Sequence, residues 1–137
     1  MSTFMLPVSY GEAADKIAIL RIKQERISDA GKLANVVTEL NAISDVFFAA
    51  ITKSAKFDEL FDGLRKVNEQ LWDIEDDIRD CERDGDFGPK FVELARSVYV
   101  TNDERARLKK DINLLLGSAL VEEKSYKDYK AAAPAGA

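Results

Sequence analysis

Between Phe57 and Cys81 the residues Phe57, Leu60, Leu64, Val67, Leu71, Ile74, Ile78 and Cys81 recur at intervals of 3, 4, 3, 4, 3, 4 and 3. A helix turns once in about 3.6 residues, so this heptad-type spacing lines one face of a long helix with apolar side chains. Such a face must be covered by other helices. The stripe therefore predicts an all-α fold.

The flanking segments carry the same period. Ser9-Tyr10-Gly11-Glu12 has the form of a capping box and opens a helix running to about Ile27, with Ala13, Ile17, Leu20 and Ile27 on one face. Ser28 to Gly31 breaks it. A second helix carries Leu33, Val36, Leu40, Ile43, Phe47 and Ala50 at spacings of 3, 4, 3, 4 and 3. Thr52 to Ala55 is a short connection, which favours antiparallel neighbours. The heptad helix ends at Asp84-Gly85-Asp86-Phe87-Gly88-Pro89, where two glycines and a proline force a turn.

Pro89 suits the first turn of a fourth helix with Phe91, Leu94, Ala95 and Val98 inward. Thr101-Asn102-Asp103-Glu104 resembles a second capping box and predicts a fifth helix, ending at Gly117 as its C′ residue. Ser118 to Lys130 is expected to form either a short helix or a strap. The expected architecture is an antiparallel bundle of four to five helices, one domain over residues 1–130, with 131–137 as a disordered tail.

Composition narrows the chemistry. Histidine is absent, which removes Ser-His-Asp and Cys-His catalysis and any zinc or haem site that needs imidazole. Cys81 stands alone, so an intrachain disulfide is impossible, and its place in the stripe predicts a buried, inert thiol. The net charge of −5 makes this an acidic protein and opposes nucleic-acid and anionic-membrane binding. No signal peptide and no run of roughly 20 apolar residues is evident, so a cytoplasmic location without a membrane span is expected. No Walker, GxGxxG, HExxH, CxxC or EF-hand motif occurs, and neither a metal nor a cofactor is expected.

Charge is unevenly distributed. Phe57 to Asp86 holds twelve acidic and four basic residues, a balance of −8, whereas Lys90 to Lys110 holds six basic and three acidic, a balance of +3. Asp73, Asp76, Asp77 and Asp80 have the spacing of hard-metal ligands, but Asp73, Asp76 and Asp80 fall opposite the apolar stripe, which favours a solvated face. Asn68, Trp72, Glu75 and Arg79, at spacings of 4, 3 and 4, lie beside the stripe. They offer a ring platform flanked by an amide and an ion pair, or simply close the bundle edge. Asn102, Arg105, Lys109 and Asn113 form a matching stripe, preceded by Arg96 and Tyr99. Such cations hold phosphate or carboxylate, or else pair with the acidic helix.

Four ordered strings give the chain a resemblance. VSYGEAADKIAILRIKQERI (Val8 to Ile27), VNEQLWDIEDDIR (Val67 to Arg79), ARSVYVTNDERARLKKDIN (Ala95 to Asn113) and GSALVEEKSY (Gly117 to Tyr126) are together similar to a family of small bacterial proteins defined only as a domain of unknown function. The resemblance implies a place near, or fused to, glycosyltransferases of surface-polysaccharide synthesis. Its pattern falls here on Ser9, Glu12, Asp15 and Lys16, on Asn68, Trp72, Glu75 and Arg79, and on Arg96, Tyr99, Asn102, Asp103, Arg105, Lys109 and Asn113. Ser118, Glu122, Lys124 and Tyr126 complete it.

The sequence thus suggests a non-catalytic accessory module for an anionic sugar-type ligand, a phosphosugar included, or for a glycosyltransferase partner. Its candidate binding residues are Lys16, Asn68, Trp72, Glu75, Arg79, Arg96, Tyr99, Asn102, Arg105 and Lys109. Two alternatives stand beside it. One is a magnesium-dependent all-α hydrolase of a nucleotide or phosphosugar, built on Glu75, Asp77 and Glu122 or Glu123. The other is a structural adaptor that forms a homodimer through the heptad seam at Leu64 and Leu71.

Overall fold

The computed structural model describes residues 2–130, and the expected disordered tail at 131–137 lies outside them. Among the described residues there are four helices and no strands: α1 (Tyr10–Arg26), α2 (Ala30–Ala50), α3 (Ala55–Asp84) and α4 (Pro89–Leu116). The helix starts are set by short polar side chains. Ser9 Oγ accepts from the Glu12 backbone N–H at 3.1 Å, Asp29 Oδ1 from Lys32 at 2.8 Å, and Ser54 Oγ from Phe57 at 3.1 Å. Pro89 replaces such a cap at the start of α4. Gly85 and Gly117 end α3 and α4 in the left-handed conformation, each at φ +67°, which lets the next residue's N–H (Asp86, Ser118) reach back to Cys81 and Asn113.

The predicted fourth and fifth helices are one. α4 runs without interruption through Thr101-Asn102-Asp103-Glu104. Nothing between Pro89 and Leu116 is glycine or an internal proline, so a T-x-x-E string there lacks the break that would turn it into a start. Ser118 to Lys130 forms no helix and lies as an irregular strap.

α1 packs against each of the other three helices and sits at the centre of the fold. Ala14, Ile17 and Leu20 are buried on it, against Phe57, Leu60, Leu64 and Val67 of α3 and Leu108 and Ile112 of α4. Tyr10, Phe47, Phe48, Phe57 and Phe61 form a continuous ring cluster with centroids 5.1–6.4 Å apart. The Arg21 guanidinium lies 5.1 Å from the Phe61 centroid and 5.4 Å from that of Phe48. Leu64 is fully buried inside the chain and Leu71 packs against the same core, so this part of the seam is covered by the protein's own helices. Cys81 is buried, as its place in the stripe predicts.

α2 differs from the sequence reading in one respect. By length and composition alone it is apolar enough to cross a membrane, although the charged residues Lys32, Glu39 and Asp45 interrupt it. Helices buried in protein cores meet the same test, but only 17% of the apolar stretch of α2 is buried, with Val36, Leu40 and Phe47 turned into the core.

Candidate functional site

The most buried charge in the molecule builds the site from below. Asp15 projects from the middle of α1 and is 1% exposed. A carboxylate there must be paired, and α4 and α3 supply the partners. Arg105 Nε donates to Asp15 Oδ1 at 3.0 Å and Oδ2 at 3.2 Å, and its Nη2 donates to Oδ2. Asn68 Nδ2 donates to Asp15 Oδ1 at 2.8 Å and to the Leu64 carbonyl at 3.0 Å. The hydrogen bond to Asp15 outweighs desolvation and holds Arg105 above its ordinary pKa.

One turn along α4, Lys109 repeats the arrangement closer to solvent. Its Nζ donates to Glu12 of α1 at 2.6 Å and to Glu122 of the strap at 3.1 Å. Burial disfavours its charge, but the two carboxylate bonds prevail and raise its pKa. Glu122 is lowered correspondingly, first by Lys109 and then by Lys124, which stands 3.3 Å from its other oxygen. A turn further still, Asn113 Oδ1 accepts the Gly11 backbone N–H at 2.6 Å. Among the described residues no buried side-chain nitrogen or oxygen lacks a partner.

The strap then runs back along α4. Ser118 lies beside Tyr10, Glu122 beside Lys109, and the Tyr129 ring 4.9 Å from that of Tyr99. Asp103, beside the Tyr129 hydroxyl, holds that phenol above its usual range. Between α4 and the strap lies a cavity of about 380 Å³ lined by Val98, Tyr99, Asn102, Asp103, Arg105, Ala106, Lys109, Lys124 and Tyr126. It combines three cations, each paired with a carboxylate, and an amide with the Asp103 carboxylate and two phenol rings. Asp15 uses the Nε and Nη2 edge of Arg105, which leaves Nη1 as a further donor.

The sequence-predicted residues divide between this groove and other surfaces. Tyr99, Asn102, Arg105 and Lys109 line it, and Asn68 supports it through Asp15. Trp72 does not line it; the Arg26 guanidinium lies 5.7 Å from the Trp72 ring centroid and bonds Asp73. Glu75 and Arg79 form an exposed pair 3.5 Å apart along α3. Lys16 pairs with Glu39 of α2 at 3.4 Å, and Arg96 is exposed outside the groove. Spacing did not single out Asp15, Lys124 or Tyr126, although the resemblance pattern includes all three. Among the described residues no three carboxylates gather as a metal set, and Glu122, one of those the hydrolase alternative needs, is held by Lys109 and Lys124.

Comparison with family models, with curated proteins and with solved structures finds no match to the chain.

Proposed function

We propose that this protein is a non-catalytic cytoplasmic binding module that takes an anionic sugar-type ligand, such as a phosphosugar or nucleotide-sugar, in the groove between α4 and the strap. One observation carries the reading: Arg105, Lys109, Lys124 and Asn102 converge on a single cavity beside the rings of Tyr99 and Tyr126. Ammonium and guanidinium groups bind phosphate oxygens by charge-assisted hydrogen bonds, while phenol rings offer faces to a sugar or base. An accessory role beside a glycosyltransferase rests on the resemblance in the four strings.

The same reading takes the four helices as an antiparallel bundle seamed by the heptad stripe. In support, Gly11 faces Asn113 while Asp15, further along α1, meets Arg105, earlier on α4. The order of contacts is reversed between the two helices.

A thermal-shift and calorimetric titration with uridine diphosphate glucose and a hexose phosphate tests the function. At about a hundred times its Kd a ligand should stabilise the fold by about 2.7 kcal/mol. Lys124→Ala, at an exposed position, should weaken binding about tenfold, the scale of one charge-assisted hydrogen bond. No stabilisation by either compound, or equal binding by Lys124→Ala, would contradict the reading.

A further inference from the structure

Glu122 places both its carboxylate oxygens on cations of the groove, Oε2 at 3.1 Å from Lys109 Nζ and Oε1 at 3.3 Å from Lys124 Nζ. A carboxylate held between two ammonium groups marks the position of an oxyanion. Resting on the groove as a ligand site, we propose that Lys109 and Lys124 form its phosphate subsite, which Glu122 fills in the unliganded chain. A phosphorylated ligand then binds by displacing the Glu122 carboxylate, while Lys124 stays on the strap to hold the phosphate.

Three features of the subsite support the exchange. Lys109 keeps a second partner in Glu12 at 2.6 Å, so removing Glu122 does not strand a nearly buried ammonium. Its side chain is only 10% exposed, which fixes the cation in place before any ligand arrives. The Glu122 side chain, by contrast, is 43% exposed and has solvent to turn into. Residues 119–130 are exposed and carry no regular structure, and the neighbouring Lys110–Glu123 pair is 3.5 Å apart on the surface. Exposed pairs of this kind hold a segment only weakly.

A phosphate monoester brings up to about two charges and three acceptor oxygens where Glu122 brings one charge and two. It therefore gains more from the same two lysines than the glutamate loses. Until displaced, Glu122 acts as an internal competitor and lowers the apparent affinity by the fraction of time it occupies the subsite.

The full-length chain, Glu122→Gln and Glu123→Gln should each be titrated with inorganic phosphate and with a hexose phosphate. Glu122→Gln should bind both about fivefold more tightly than the natural sequence, the scale of one released surface pair. Glu123→Gln, which removes the same charge one residue away, should bind as the natural sequence does. Hexose phosphate should bind more tightly than inorganic phosphate if the phosphate source is a sugar, and equally if the site serves the free ion. At saturation the Glu122 Cδ resonance should move towards that of Glu123, as its carboxylate leaves the two lysines. Unchanged or weaker binding by Glu122→Gln, an equal gain in both variants, or an unmoved Glu122 Cδ resonance would overturn the displacement while leaving the groove a ligand site. Failure of every protein to bind either probe would remove the groove reading and this inference together.

Discussion

Gly11 and Lys109 meet backbone to backbone across the α1–α4 contact. A Cβ built on Gly11 would overlap the Lys109 carbonyl oxygen and stand 3.0 Å from Asn113 Oδ1. The same approach lets the Gly11 N–H reach Asn113 at 2.6 Å. Gly11 is thus what allows α1 to lie close enough to α4 for Glu12 and Asp15 to engage Lys109 and Arg105.

Gly11→Ala is expected to destabilise the protein by about 1–3 kcal/mol, because backbone rather than a flexible side chain must yield. At an unconstrained helical position the same change would stabilise by about 1 kcal/mol. The sign of the shift in thermal midpoint decides between the two, and a rise would contradict the close packing.

Arg105→Ala leaves the Asp15 carboxylate buried with only Asn68 as a hydrogen-bond partner. Breaking a buried pair on one side costs about 3 kcal/mol or more, and the partial exposure of Arg105 argues for the low end. Replacing both residues by apolar ones should recover part of the loss. A double-mutant cycle on urea denaturation measures that coupling, and additive single losses would show that the two side chains do not interact.

The strap contact should weaken in acid. Lys109, and secondarily Lys124, hold the Glu122 carboxyl below the ordinary value of 4.5, so its contribution is fully present above that value. It is lost as pH falls through the lower, folded value. The heteronuclear NOE of residues 119–129 should accordingly stay flat from neutrality downward and drop only in the acid limb. Glu122→Gln should abolish that drop, and an identical acid profile in both proteins would show that Glu122 is not its source.

Trp72 and Lys124 should separate stability from binding. Trp72 is half-buried at the α1–α3 edge, so Trp72→Ala should cost about 1–2 kcal/mol of stability while leaving sugar-phosphate affinity unchanged. Lys124→Ala should do the reverse. Calorimetry with the two variants side by side checks both, and loss of binding in Trp72→Ala would move the site to α3.

The helices were legible in the sequence because their signals are local. The Ser9 cap and the glycines at positions 85 and 117 each act within a few residues and end or open a helix as expected, and α3 spans the predicted Phe57–Cys81 segment. Two local signals misled. Thr101-Asn102-Asp103-Glu104 has the letters of a helix start without a preceding break. In the Ser9 box only half the pattern operates, since the Glu12 carboxylate reaches Lys109 rather than the Ser9 backbone. The site was legible only in part. Periodicity placed Arg105 and Lys109 on one face of a helix, but the partner that fixes Arg105 is Asp15, which lies 90 positions earlier in the chain. No spacing rule links the two. Trp72, Glu75 and Arg79 share a helix face with Asn68, yet α3 carries them past the level of Asp15 to another surface.

The most direct measurement is a backbone NMR titration of the full chain with uridine diphosphate glucose. The account predicts shifts concentrated at Tyr99, Asn102, Lys109, Lys124 and Tyr126, with Trp72 and Arg79 unmoved. Shifts centred on Trp72 and Arg79, or none at saturating concentration, would contradict the groove between α4 and the strap as the binding site.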